Sequence, residues 1–311
     1  MAGILIYSDK DKLARELLTV AGLMADARGG EVKAACINNA SQCQLLSAAG
    51  ARVYKIENPA VLPADVANVA VALKEACGKL DCSIVLLSSD RRGRELAGRL
   101  AQVLGAGCLT DISAVKVEGE QIHCQRNALG GATIATQYID GGKQVLAIVP
   151  RAFAPAPDRD GGSIDELQVE VPPSRIKLLE FRAKDSSSAN IEEATVLVVA
   201  GQGLNSQEDL AAVESLAKKL GGEIACSKPL ATDKKWLPED RVIGLSGKKC
   251  QPDLAVLLGI SGQVQFTVGI RDARVIVAVN SDENAYIHQM ADYSMVADLH
   301  QVVKELNNAL A

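Results

Sequence analysis

The residues best placed to do chemistry lie between 254 and 306, in a strand, turn and helix-start arrangement suited to an anion. Residues 254–258 (Leu-Ala-Val-Leu-Leu) form an apolar run of buried-strand length. Gly259-Ile260-Ser261-Gly262 then turns the chain, and residues 263–268 can open a helix. Such a turn aims several backbone N–H groups at one spot, where the amides and the helix dipole both favour a phosphate. A second apolar run, 275–279, ends at Asn280 on the edge where open α/β sheets bind ligands. Upstream, Gly201-Gln202-Gly203 follows another strand-like run. It reads either as a tight strand-to-helix turn or as part of a dinucleotide fingerprint, whose third glycine is replaced by Ser206.

These strings resemble the C-terminal domain of the electron transfer flavoprotein α subunit. The family pattern reads roughly GISGxIQH, IVAINxD and APIFxxADYGxVxDL, and it corresponds here to residues 259–266, 276–282 and 285–299. Order and spacing agree without gaps over some forty positions. The resemblance implies FAD as cofactor and assigns its contacts. Ser261, Gly262, Gln263, Val264 and Gln265 fall at the diphosphate and ribityl positions, and a side chain at Gly262 is expected to block the phosphate. Asn280, Asp298 and Leu299 fall at the adenosine end, with Asp298 also suited to cap the final helix. Gln202 stands where the family has an arginine near the diphosphate. Ser227 and Lys228 replace a Ser-Arg pair beside the flavin ring, keeping the charge without the planar guanidinium. Ile243, Gly244, Leu245 and Ser246 align with Q-V-G-Q-T-G-K, where Ser246 keeps a hydroxyl and Leu245 leaves only backbone to contact the cofactor. Phe266 replaces a histidine near the pyrimidine end. Its own chemistry also suits a core aromatic on a buried helix face.

The elements around these residues read as two α/β domains. Residues 4–7, 32–37, 53–56 and 84–88 read as strands, and 12–28, 64–77 and 94–104 as the helices between them. Beyond Asp111, the runs 114–117, 121–126, 132–138 and 144–149 are broken by glycines and suggest antiparallel hairpins. Residues 150–162 read as a loop. A serine-rich stretch, 183–190, has the composition of a joint. Strand 195–200, helix 207–220 and a short strand 223–226 then open a fresh pattern. The expectation is an α/β chain in two parts. Residues 1–190 form an N-terminal three-layer α/β domain of nucleotide-hydrolase-like type with antiparallel hairpins. Residues 191–311 form a C-terminal doubly wound parallel-sheet FAD-binding domain.

Composition narrows the function classes. The 311 residues are 48% hydrophobic with 3% aromatics, a mix suited to parallel strands sandwiched between helices. A net charge of −5 without a basic stripe argues against nucleic acid as partner. The eight cysteines include no C-x-x-C pair, which favours buried reduced thiols over metal ligands. No Ser/His/Asp or Cys/His arrangement is suggested, and His123, His288 and His300 have no evident catalytic partners in the sequence. No apolar segment reaches about 18 residues, so no membrane span is expected. Neither signal nor transit peptide is expected, which points to the cytoplasm.

The resemblance implies an electron carrier rather than an enzyme with bond-making chemistry of its own. Its partners would be a β subunit, in a heterodimer, and an acyl-CoA dehydrogenase or similar flavoprotein. The wording CSKP and ISGQ resembles bacterial members tied to fatty-acid (β-oxidation), carnitine or crotonyl-CoA metabolism. Two other readings stay open at this point: an NAD-dependent Rossmann-type dehydrogenase, and a scaffold subunit without cofactor.

Overall fold

The computed structural model describes residues 3–131, 133–180 and 190–310. The chain divides into two compact units, 1–181 and 182–311. Most of the serine-rich stretch at 183–190 lies outside the described residues.

The first unit runs β1 (Gly3–Tyr7), α1 (Asp11–Arg28), β2 (Val32–Ile37), α2 (Ala40–Ala48), β3 (Arg52–Ile56), α3 (Val66–Lys79), β4 (Cys82–Ser88), α4 (Arg91–Leu104), β5 (Gly107–Glu118), β6 (Gln121–Ala128), β7 (Thr133–Gln137), β8 (Gln144–Ile148) and β9 (Ser163–Glu166). They form one mixed sheet of order β7-β6-β5-β8-β4-β1-β2-β3-β9. Successive residues of β1 point to opposite faces. Ile4 and Ile6 pack with α1 residues Leu17, Val20 and Met24, whereas Leu5 and Tyr7 pack with α3 and α4 residues Val69, Leu73 and Leu96. Helices therefore cover both faces in three layers, and the Ile/Val/Leu-rich central strands are buried on both sides.

Two expectations need correcting here. Residues 144–149 do not form a hairpin arm, because β8 runs parallel to both β4 and β5 and lies between them. Its five residues are all buried, the continuous pattern of a central parallel strand rather than of a half-exposed hairpin. Among the described residues the antiparallel pairing is confined to β5-β6 and β6-β7. The helix α2 went unforeseen. Its Ala, Ser and Gln carry little amphipathic pattern, and Asn39 caps it by accepting the Gln42 N–H (3.1 Å).

The second unit runs β10 (Val196–Ala200), α5 (Asp209–Lys219), β11 (Glu223–Cys226), α6 (Lys228–Thr232), β12 (Leu254–Leu258), α7 (Val264–Thr267), β13 (Ile276–Asn280), α8 (Ile287–Met290), β14 (Tyr293–Val296) and α9 (Leu299–Ala309). Its sheet is wholly parallel in the order β11-β10-β12-β13-β14. One face carries Val198, Ala200 and Leu258 against α5 and α9, where Val213, Leu216, Leu299 and Val303 are buried. The other face is covered differently from a regular doubly wound sheet. Ile243, Ile260, Phe266, Ile270 and Ile287 pack there from loops and one-turn helices.

Candidate functional site

The strand order of the second sheet reverses between β10 and β12, and there the two following loops are in backbone contact. The Gly201 N–H donates to Leu258 O (2.8 Å) and the Gly203 N–H to Gly259 O (3.1 Å). A Cβ on Gly201 would lie 2.2 Å from Gly259 O. Gly259 has φ +64°, a left-handed conformation that glycine adopts without penalty. The open crevice of such a switch point is where α/β sheets take ligands.

Three further loops close the same carboxyl edge. The Ile243 N–H donates to Cys226 O (3.0 Å) and the Leu245 N–H to Gln265 O (2.7 Å), so the 242–247 turn is seated on both β11 and α7. A Cβ on Gly244 would lie 2.4 Å from Gln265 O. The Ile287 N–H donates to Ser261 O (3.2 Å). Asn280 closes the frame: its Nδ2 donates to Ile260 O (2.8 Å) and its Oδ1 accepts the Asp282 N–H (3.0 Å). Asp298 caps α9 by accepting the His300 N–H (3.0 Å).

Within this frame some polar groups are left over. Among the described residues, the backbone N–H groups of Ser261, Gly262, Gln263, Val264 and Gln265 meet no protein acceptor. The Ser227 hydroxyl is buried without a partner. Next to it Lys228 is exposed, with no ion pair among the described residues. The side chains of Gln202, Ser246, Ser261, Gln263 and Gln265 are exposed, and so are Leu245 and Val264, two apolar side chains at a polar edge. Together these groups offer a row of donors, one cation and an apolar rim, which is the chemistry of a polyphosphate joined to a flat ring system. Cys226 beside them contributes no thiolate, because burial pushes its thiol up to about 12.

Two groups stand out among the residues expected at the site. Gln202, Ser227, Lys228, Ser246, Ser261, Gln263 and Gln265 hold free polar groups at the edge. Ile243, Phe266 and Leu299 turn their side chains into the core, 2%, 8% and 6% exposed, so they can offer only backbone. The Phe266 side chain packs as a core aromatic, the second of the two readings its sequence position allows. Two expectations about the phosphate turn change as well. The helix after it, α7, is a single turn of four residues, too short for a substantial dipole, so the donors are individual amides. Gly262 (φ +87°) is required first by the protein itself, since a Cβ there would lie 2.4 Å from the Ile287 nitrogen. Gly269 escaped sequence reasoning: its Cβ would lie 2.4 Å from the Gly244 nitrogen, a contact no local motif announces.

The NAD fingerprint loses its remaining support at Ser206, whose N–H is taken by Asp209 Oδ2 (2.8 Å) instead of facing a ligand. Two family descriptions match the chain: "Electron transfer flavoprotein FAD-binding domain" over residues 190–271 and "Electron transfer flavoprotein domain" over residues 8–173. The chain belongs to the electron transfer flavoprotein α-subunit family. Protein FixB of Escherichia coli O157:H7 is 31% identical over 311 residues, covering 98% of this chain and 97% of that protein. Protein FixB of Shigella flexneri agrees to the same extent, 31% with 98% and 97% coverage. A solved chain described as a thiamin diphosphate-dependent enzyme, from Mycobacterium smegmatis, aligns at 13% identity with a TM-score of 0.24. This chain spans 54% of its length, and the likeness carries no argument. For an electron transfer flavoprotein the cofactor is FAD, and the free amides, the unpartnered Ser227 hydroxyl and the unpaired Lys228 fit it. No helix among the described residues is long and apolar enough to cross a membrane.

Proposed function

We propose that this protein is the FAD-carrying α subunit of a heterodimeric electron carrier. It takes electrons from an acyl-CoA dehydrogenase-type flavoprotein and passes them to a downstream acceptor in the cytoplasm. Residues 1–190 would face the β subunit, and residues 191–311 would hold FAD. The flavin, when bound, supplies the redox chemistry, and no side chain makes or breaks a substrate bond. The chain's own part is to bind, orient and enclose. The amides of 261–265 and the Gln202 and Gln263 side chains would hold the diphosphate and ribityl parts. Ser227, Lys228 and Ser246 would set the polarity beside the ring, and the exposed Leu245 would cover part of it.

The observation that carries this reading is the row of five backbone donors without a protein acceptor, on the same carboxyl edge as the exposed Lys228, inside a domain of an FAD-binding family. The test is to mix the purified heterodimer with a catalytic amount of an acyl-CoA dehydrogenase and excess acyl-CoA. The flavin absorption should bleach with many turnovers of the dehydrogenase. A heterodimer that holds FAD yet stays oxidised with every acyl-CoA dehydrogenase tried would overturn this choice of donor, though not the FAD site.

A further inference from the structure

We propose that His300 is a positioning residue for the ligand edge, fastening the loop after β10 to the start of α9. This rests on the reading that the edge holds FAD, because the two segments it joins carry Gln202 on one side and Asp298 and Leu299 on the other.

The geometry uses both ring nitrogens. Asn205 Nδ2 donates to His300 Nε2 (3.1 Å), so the ring proton resides on Nδ1, 3.7 Å from Asp209 Oδ1. The other Asp209 oxygen accepts the Ser206 N–H (2.8 Å), and that contact, ahead of the neighbouring His300, holds its carboxyl below the usual range. His300 is itself fixed at the backbone, where its N–H donates to Asp298 Oδ1 (3.0 Å). His300 thus touches three segments: its ring meets Asn205 in the loop and faces Asp209 at the first turn of α5, and its backbone N–H is held by the cap of α9. The same loop is held from its far side by Lys234, whose Nζ donates to Leu204 O (3.1 Å).

Position gives this tie its consequence. Leu299, one residue before His300, sets its Cδ2 over the Gly203-Gly259 contact, 2.8 Å from where a Cβ of Gly259 would be. The loop residues 202–205 are exposed except for Leu204. A loop that must present backbone and Gln202 to a diphosphate binds more tightly if its shape exists beforehand. The imidazole is suited to this because it is short and flat, accepts a hydrogen bond at Nε2 and presents Nδ1 toward the Asp209 carboxylate, which neither leucine nor phenylalanine can do.

The test uses the heterodimer with four variants: His300→Leu, His300→Gln, Asn205→Ala and the His300→Leu/Asn205→Ala double. Loss of one net hydrogen bond predicts FAD release about five-fold faster in each of the leucine and alanine variants. The double variant should be no faster than His300→Leu, which already removes the contact that Asn205→Ala removes. His300→Gln, whose amide can still meet Asn205, should return most of the way to the parent rate. Amide hydrogen exchange of residues 202–206 without added flavin gives a second reading. It should quicken in His300→Leu whether or not FAD is held. Should His300→Leu fail to fold, Asn205→Ala in the exposed loop carries both readings. Unchanged exchange and unchanged release in these variants would overturn the proposal, as would effects that multiply in the double variant. A parent heterodimer with no FAD at all would instead refute the cofactor site, and the exchange reading would still decide the role of His300.

Discussion

Gly203 and Gly259 approach so closely that a Cβ built on either would lie 2.7 Å from the Cα of the other. The contact joins the two loops at the reversal point of the second sheet, so both glycines are needed for packing before any ligand arrives. Their replacements should nevertheless differ. Gly203→Ala adds only overpacking, about 1–3 kcal/mol, and Leu299 can give way in part. Gly259→Ala adds the cost of a left-handed φ of +64° to a similar clash, for a loss of about 2–5 kcal/mol. Denaturant titration of the two variants should place Gly259→Ala clearly below Gly203→Ala, and equal losses would contradict this geometry.

Gly262 and Lys228 separate packing from binding. Gly262→Val meets the Ile287 backbone, so it should lower the melting temperature as well as FAD content. Lys228→Met removes an exposed, unpaired charge and should change stability by no more than about 0.5 kcal/mol. Its FAD dissociation constant should rise about ten-fold, the worth of one charge-assisted contact. A lysine variant that binds FAD as tightly as the parent would remove Lys228 from the site.

The Phe266 ring lies among Ile243, Ile260, Ile270 and Ile287. Phe266→His should therefore cost about 2–4 kcal/mol by placing a polar ring in an apolar cluster. It should leave the flavin's reduction potential where it was. A raised potential with unchanged stability would show instead that this position faces the cofactor.

In the first unit, Glu16 on α1 is buried, with Oε2 accepting the Arg151 N–H (2.7 Å) and Oε1 unpartnered. Burial raises its carboxyl above the ordinary range, with the Arg151 N–H pulling the other way. The folded chain then keeps this proton to higher pH than the unfolded chain, so the stability it contributes is present in acid and is lost as pH rises through the folded value. Glu16→Gln stays neutral throughout. As pH rises above the ordinary glutamate range the parent should lose stability relative to Glu16→Gln, measured by urea titration at each pH. A parent that gains relative to the variant would reverse the assigned sign.

Much of the fold and site is legible in the sequence, and the reasons are local. The strands β10, β12 and β13 announce themselves as short Val/Leu/Ile/Ala runs, and Gly201, Gly259 and Asn280 mark where each one stops. The orientation of β8 is not legible, because residues 144–148 state that they are buried but not which strands they lie between. Phe266 can be read two ways, since one aromatic on one helical turn does not say which side of that turn is covered. The Asn205-His300 contact spans 95 positions and belongs to neither residue's local pattern. The same holds for Gly262, whose glycine requirement comes from Ile287 and is indistinguishable from a phosphate's requirement by spacing alone.

The central claim, that the carboxyl edge of the second unit holds FAD, is tested most directly by the absorption spectrum of the protein after co-expression with its β subunit and gel filtration. The expected result is a flavin band at about 450 nm corresponding to about one FAD per α chain, released intact on denaturation. A folded, correctly assembled heterodimer with no such band, and none after incubation with excess FAD, would contradict it.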